Sequence, residues 1–178
     1  DLLNNGATIS GERILFPKKM IERAIKTAPK QFTLHGRDPN RSIHIGGDRV
    51  HFGTGGAAVQ TLDIDTAQYR PSTLEDLHHF TRLQDALRNV SWFTRCCVAT
   101  DVPDNFDLDV NTVFALLKNT TKPVATSFTI APHVAPIVRM LDIAAGGEGE
   151  FAKRPFLKAH ISPVISPCAA PRSPWTRC

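Results

Sequence analysis

The 178-residue chain has no apolar run long enough to cross a membrane, which excludes a helical span. Its first residues, Asp1-Leu2-Leu3-Asn4-Asn5, have neither the basic nor the apolar stretch of a secretory signal. They lack an initiator methionine as well, and a start inside a helix of a longer protein is expected. No block of five like charges occurs. The net charge of +4 is scattered, and the nearest basic clusters are the pairs Lys18-Lys19 and Lys153-Arg154. A nucleic-acid partner would need a basic stripe with interleaved aromatics, so none is expected. The four cysteines, Cys96, Cys97, Cys168 and Cys178, form no C-x-x-C, which removes zinc-ribbon and thioredoxin readings. A reduced, cytoplasmic protein is the expectation.

Other chemistry is missing too. His44 and His51 find no third ligand at a zinc spacing, so no metal site is expected. His78 and His79 are helical neighbours about 100° apart and cannot chelate one metal together. No Ser/His/Asp signature stands out, and no motif recommends Cys96-Cys97 as a nucleophile.

What is present is an ordinary globular composition, 42% hydrophobic and 21% charged, over a length that can bury a core. The most informative segment is His51-Phe52-Gly53-Thr54-Gly55-Gly56-Ala57-Ala58. Three glycines in four residues let backbone approach something large, because glycine has no Cβ in the way. A tight turn without ligand is the alternative. A dinucleotide fingerprint is excluded, since the third glycine and the helix start are not in place.

Residues 1–48 read as a small α+β leader segment. Pro17 opens a helix with Met20, Ile21, Ala24, Ile25 and Ala28 on one face, and Pro29 ends it. Phe32–His35 is a strand candidate before the turn-rich Gly36–Asn40. Ser42–Ile45 and Arg49–Phe52 flank Gly46-Gly47-Asp48 as an expected hairpin. Thr61–Ile64 with the Asp65-Thr66-Ala67 turn adds another β element.

From Ser72 strands and helices alternate. Ser72-Thr73-Leu74-Glu75 reads as a capping box with Ser72 as the cap. Leu74, Leu77, Phe80, Leu83 and Leu87 form the expected stripe of the following helix. Val90–Val98 is the next strand. Leu108–Leu117 is a second helix with Val110, Val113, Phe114 and Leu117 inward. Pro123–Thr129 is a third strand, Val134–Ala145 a third helix ended by Gly146-Gly147, and Phe156–Ile165 a fourth strand. This spacing implies right-handed βαβ units and a parallel sheet. A doubly wound open sheet and a (β/α)8 barrel both fit. Sequential strand order favours the barrel. A full barrel takes roughly 250 residues, and only four βα steps are visible here.

An ordered series of strings now resembles the trimethylamine methyltransferase family. It runs through Phe32-Thr33-Leu34-His35-Gly36-Arg37-Asp38-Pro39, the glycine segment, and Asp63 through Arg70-Pro71-Ser72-Thr73. Asp101-Val102-Pro103-Asp104 and Asn119-Thr120-Thr121-Lys122-Pro123 complete it. The similarity extends from Leu2 to about Pro167. It implies an α/β fold in which residues 49–167 are the N-terminal half of a (β/α)8 TIM barrel with strands in sequential order. It implies an enzyme that moves a methyl group from a methylated amine, trimethylamine or a quaternary amine such as glycine betaine, to the cobalt of a corrinoid. The corrinoid is carried by a separate cognate protein, so no cofactor bound tightly by this chain is expected. Founding members contain pyrrolysine, at a position beyond Cys178, so the branch is open. Homo-oligomer formation is left open too. The alternative is an inactive fragment or pseudogene product with the same fold.

Residues 168–178 depart from the family and read as an irregular tail. One base inserted before Cys168, with GC-rich codons, turns the tail into LRRSEVAVDQV, an acidic amphipathic helix start. A frameshift is therefore expected there.

In a barrel, chemistry sits at the C-terminal ends of the strands. The candidates for facing substrate and corrinoid are Gly53, Thr54, Gly55 and Gly56 after the first strand, and Trp92, Phe93, Arg95 and Asp101 on and after the second. Ser127 and Phe128 follow the third, and Ser162 and Ser166 lie at the fourth. Transfer from a quaternary ammonium needs no general base for the cation but a cavity that aligns it for attack. Trp92, Phe93, Asp101 and Phe128 could hold its charge, or could be packing and capping residues. No residue is singled out as catalytic.

Overall fold

A computed structural model describes residues 1–160. Ser162, Ser166 and the tail from residue 168 lie outside the described residues. The chain forms two compact units, Asp1–Phe32 and the part from Thr33 onward.

In the first unit β1 (Thr8–Ser10) pairs antiparallel with β2 (Arg13–Leu15). Helix α1 (Lys18–Thr27) starts directly after Pro17 and stops at Ala28, ahead of Pro29. Ile21 and Ile25 of its expected apolar face are exposed.

β3 (Phe32–Leu34) begins at the unit boundary and pairs with β4 (Ile43–Ile45) across a short turn capped by Asp38, whose carboxylate accepts the Asn40 amide at 2.9 Å. The expected hairpin between residues 42–45 and 49–52 is therefore not formed. Residues 49–51 are not strand, and β5 (Phe52–Gly53) pairs elsewhere. Alternating apolarity marks a strand but does not name its partner. The β element after residue 60 is present: β6 (Gln60–Leu62) and β7 (Tyr69–Pro71) pair around a turn in which Asp63 Oδ1 accepts the Asp65 and Thr66 amides.

Helix α2 (Leu74–Ala86) is capped by Thr73, one residue later than expected. Thr73 Oγ1 accepts the Asp76 amide at 3.2 Å, and Asp76 Oδ2 accepts the Thr73 amide at 2.9 Å. Ser72 is buried and its hydroxyl is spent on Ala58 O and Val98 O, so it cannot serve as the cap. The expected leucine stripe also fails in part: Leu77 is buried with Thr81, while Leu83 is 54% exposed. Steps of three residues fall short of a full turn by about 60° each, so the stripe drifts away from the core.

β8 (Val90–Thr94), helix α3 (Asn105–Asn119), β9 (Val124–Thr126), helix α4 (Val134–Ala145), the short α5 (Glu150–Lys153) and β10 (Leu157–Ala159) follow. The four long-range strands form one parallel sheet in the order β5-β8-β9-β10, which is their sequence order. Helix α4 has the bounds expected, and Gly146 closes it at φ +110, a left-handed conformation that suits a residue without Cβ.

The core is two clusters on the helix-bearing side. Leu77, Phe93, Ala115, Leu116 and Val124 form one; Val113, Leu117, Ile137, Leu141 and Phe156 form the other. Helix α3 contributes to both, because the crossovers set α2 on one flank of it and α4 on the other. It therefore buries more than the single stripe expected, although Phe114 stays exposed. Since Phe93 faces the helices, Trp92 and Thr94 face the other side of the sheet.

Candidate functional site

Residues from the ends of neighbouring strands meet at the C-terminal edge of the sheet. Thr54 Oγ1 donates to Thr94 O at 2.8 Å and accepts the Thr94 amide at 2.9 Å, tying the chain after β5 to β8. Arg95 Nη2 donates to Ser127 Oγ at 3.1 Å, which links the ends of β8 and β9. The His160 amide donates to Thr126 O at 2.7 Å at the end of β10. Thr54, Arg95 and Ser127 were expected here; His160 was not.

The glycine loop divides by position. A Cβ on Gly53 would lie 2.0 Å from the Trp92 indole, and one on Gly56 would lie 2.5 Å from Cys96 O. Gly56 also has φ +145, and Ala57 follows at +151, a strained pair that the Ala58 amide anchors to Cys96 O at 3.1 Å. At these two glycines the large thing approached is the protein itself. Gly55 differs: nothing lies within 4 Å of an added Cβ.

The remaining candidates have structural neighbours. Trp92 carries the Lys158 ammonium 4.5 Å from its ring centroid, so a cation already occupies that face. Phe93 is fully buried against the helices and offers no surface to a ligand. Phe128 packs on the second core cluster. Asp101 Oδ1 accepts the Leu74 amide at 2.9 Å and so caps α2.

Sequence reasoning missed a buried clamp beside this edge. Asp109, 1% exposed on α3, accepts the Thr129 amide at 2.9 Å, the Thr129 hydroxyl at 2.8 Å and His133 Nδ1 at 2.7 Å, all through Oδ2. Its Oδ1 has no hydrogen-bond partner among the described residues. The clamp fixes the loop from β9 to α4. Asp109, set between Leu108 and Val110 on a helix with an apolar stripe, was the available signal, since a buried carboxylate needs partners.

Electrostatics follow the packing. Burial pushes the Arg95 guanidinium below its ordinary pKa, and the nearby Asp109 charge opposes that. Cys96 is lowered chiefly by its contact with the Cys97 thiol, and Cys97 is raised by the same contact and by burial. Hydrogen bonds from Arg70 hold Asp76 well below the usual carboxylate range, against the opposing effect of burial.

Several strings that carried the resemblance lie at the opposite end of the sheet. Arg37 Nη2 donates to Leu117 O at 2.7 Å, and Lys122 Nζ donates to Gln84 O at 2.7 Å and Leu87 O at 2.9 Å. Arg41 pairs with Asp85, which also accepts the Thr120 hydroxyl at 2.7 Å. A Cβ on Gly36 would lie 2.8 Å from Thr121 O. Cations on the last carbonyls of α2 and α3 stabilise helix ends, so this end holds the fold together.

Among the described residues the C-terminal edge presents the Thr54 and Ser127 hydroxyls, the Arg95 guanidinium and an open backbone position at Gly55. It can orient a polar ligand against a broad surface. Among the described residues no three His, Cys, Asp or Glu side chains group as metal ligands, and no helix is long and apolar enough to cross a membrane.

A sequential parallel sheet with helices between its strands, and polar groups gathered at their C-terminal ends, defines an α/β protein of the kind that builds ligand sites at that edge. A family profile described as Trimethylamine methyltransferase (MTTB) matches residues 1–172, and the chain belongs to this family. It is 29% identical over 151 residues to the trimethylamine methyltransferase MttB of Desulfitobacterium hafniense (strain DSM 10664 / DCB-2), covering 85% of this chain and 30% of the relative. It is 27% identical over 158 residues to the glycine betaine methyltransferase of Desulfitobacterium hafniense (strain Y51), covering 88% and 33%. To the trimethylamine methyltransferase MttB1 of Methanosarcina mazei it is 25% identical over 175 residues, covering 96% and 34%. The chain spans about a third of the length of these curated relatives.

Proposed function

We propose that this chain is part of a (β/α)8 barrel methyltransferase that takes a methyl group from a methylated amine and delivers it to a corrinoid carried by a partner protein. The family match over residues 1–172 carries the reading. The sequential order β5-β8-β9-β10 supports a barrel over a doubly wound sheet, whose strand order reverses at a switch point. The loop at Gly55, open where a Cβ would otherwise project, suits the approach of a flat macrocycle. The corrinoid supplies the nucleophilic cobalt that accepts the methyl group. The chain's own residues shape and orient: Thr54 sets the loop on β8, Arg95 and Ser127 present polar groups beside it, and Asp109 holds the next loop.

The test is methyl transfer by the full-length protein. Mixed with a reduced corrinoid protein and trimethylamine or glycine betaine, it should discharge the cobalt(I) absorbance and release the demethylated amine. If neither amine does so with any corrinoid protein from the same organism, the reading fails.

A further inference from the structure

Cys96 and Cys97 follow Arg95 just past the end of β8, in an arrangement that an extended strand does not give. In a strand, adjacent side chains point to opposite faces. Here both lie on one side. Cys97, 1% exposed, belongs to the core cluster of Leu77, Phe93 and Leu116, and half-buried Cys96 packs against that same cluster. Both are free thiols. Their side chains are in contact, and the contact is unequal. It lowers the Cys96 thiol below its ordinary pKa and raises Cys97, which burial raises further. Cys97 is thus the S–H donor, and Cys96 is the sulfur with thiolate character and access to solvent.

The backbone joining the two thiols is tied to the glycine loop. Cys96 O accepts the Ala58 amide at 3.1 Å, Ala58 O accepts the Val98 amide at 2.8 Å, and Cys97 bridges Ala58. Gly56 and Ala57 lead into this contact at φ +145 and +151. A change at the Cys96–Cys97 peptide therefore reaches the segment that carries Thr54 and Gly55.

We propose that Cys96 and Cys97 form an oxidation site, at which hydrogen peroxide converts the two thiols into a vicinal disulfide that resets the loop ending at Ala58. The Cys96 thiolate attacks the O–O bond, becomes a sulfenic acid, and water leaves with the former thiol proton. The Cys97 sulfur then attacks the Cys96 sulfur, the S–O bond breaks, and a second water leaves with the Cys97 proton. Two thiols lose two hydrogens, and one peroxide becomes two waters. Adjacent Cα atoms lie about 3.8 Å apart, below the roughly 4.4–6.8 Å of an ordinary disulfide, so this bond is strained and easily reduced. The thiol pair is the resting form, and a dithiol reductant restores it. The site uses neither the amine nor the corrinoid, so it stands or falls independently of the function proposed above.

The full-length protein, treated with a few equivalents of hydrogen peroxide and then alkylated, tests it. Trypsin cuts after Arg95 and Lys118, so the peptide of residues 96–118 holds both thiols and no other cysteine. That peptide should lose about 2 Da, the two hydrogens of a disulfide, refuse alkylation, and recover both thiols in dithiothreitol. Cys97→Ser should stop at a sulfenic acid that dimedone traps on Cys96, and Cys96→Ser should give no trapped adduct. In the oxidised protein the Ala58 amide should exchange about threefold to tenfold faster, the range for one lost hydrogen bond of ordinary strength. Two alkylatable thiols after peroxide, oxygen added to either sulfur without pairing, or a disulfide to any other cysteine would overturn the site. A vicinal disulfide with unchanged Ala58 exchange would overturn its link to the loop.

Discussion

The Trp92 indole sits where a side chain on Gly53 would have to go: a Cβ there would come within 2.0 Å of ring atoms Cε2 and Nε1. The ring also carries the Lys158 ammonium. Gly53 and Trp92 are paired across β5 and β8, at the register shift of that strand pair. Two residues that read as ligand-facing candidates in the sequence are therefore packed directly against each other.

Gly53→Ala should destabilise the fold by about 1–3 kcal/mol, the usual cost of forcing atoms into a filled space. Urea unfolding checks this. Trimming the indole with Trp92→Leu in the same chain should recover part of the loss. An unchanged midpoint for Gly53→Ala would show that the ring does not lie there.

Gly55 and Gly56 should behave oppositely. Gly56→Ala meets Cys96 O and a φ of +145, and should lower stability by on the order of 1–3 kcal/mol. Gly55→Val meets open space and should keep stability within about 0.5 kcal/mol. If the corrinoid approaches here, Gly55→Val in the full-length protein slows methyl transfer without altering unfolding.

Asp76 gives a pH signature. Its folded pKa is depressed, so its stabilisation is fully present above the unfolded carboxylate pKa of about 3.9 and is lost as pH falls through the lower folded value. Asp76→Asn should cost roughly 1.5–3 kcal/mol at neutral pH through the lost Arg70 and Thr73 contacts. The gap between wild type and variant should close as pH drops below about 4. A gap constant down to acid-induced unfolding would contradict the ion pair.

Asp109→Ala should release the loop after β9. Three donors lose their acceptor, and the cost is on the order of 3 kcal/mol. Hydrogen exchange should show faster exchange at the Thr129 amide with little change at the core of α2. Unaltered protection at Thr129 would mean that the loop is held by something else.

The 178-residue chain by itself should show no methyl transfer. β5 and β10 are both edge strands of the described sheet, and Phe52 is 68% exposed on one of them. A monomeric, active 178-residue protein would refute this and the half-barrel reading with it.

Much of the architecture was legible in the chain. Helix α4 follows from its apolar period and the glycines that stop it. The parallel sheet follows from strands and helices alternating too closely for other connections. The family follows from an ordered series of short strings. Those signals are local or sequential, and local physics writes them directly into residue order.

The partners were not legible. β4 turned to β3 because alternation fixes a strand's faces and leaves its neighbour open. The cap moved from Ser72 to Thr73 because two carbonyls from distant segments claimed the Ser72 hydroxyl. Gly53 and Gly56 became packing glycines only when Trp92 and the Cys96 backbone arrived from another strand. Asp109, Thr129 and His133 converge from α3 and the loop before α4, with no motif joining them. The sequence determined by itself the main helices, the alternation of strand and helix after Ser72, and the family to which the chain belongs. The tertiary structure alone decided which polar groups are spent on the fold, as Ser72 is on two distant carbonyls and Asp109 on the loop after β9. Hydrogen-bond partners are chosen by distance in space, which chain spacing does not encode.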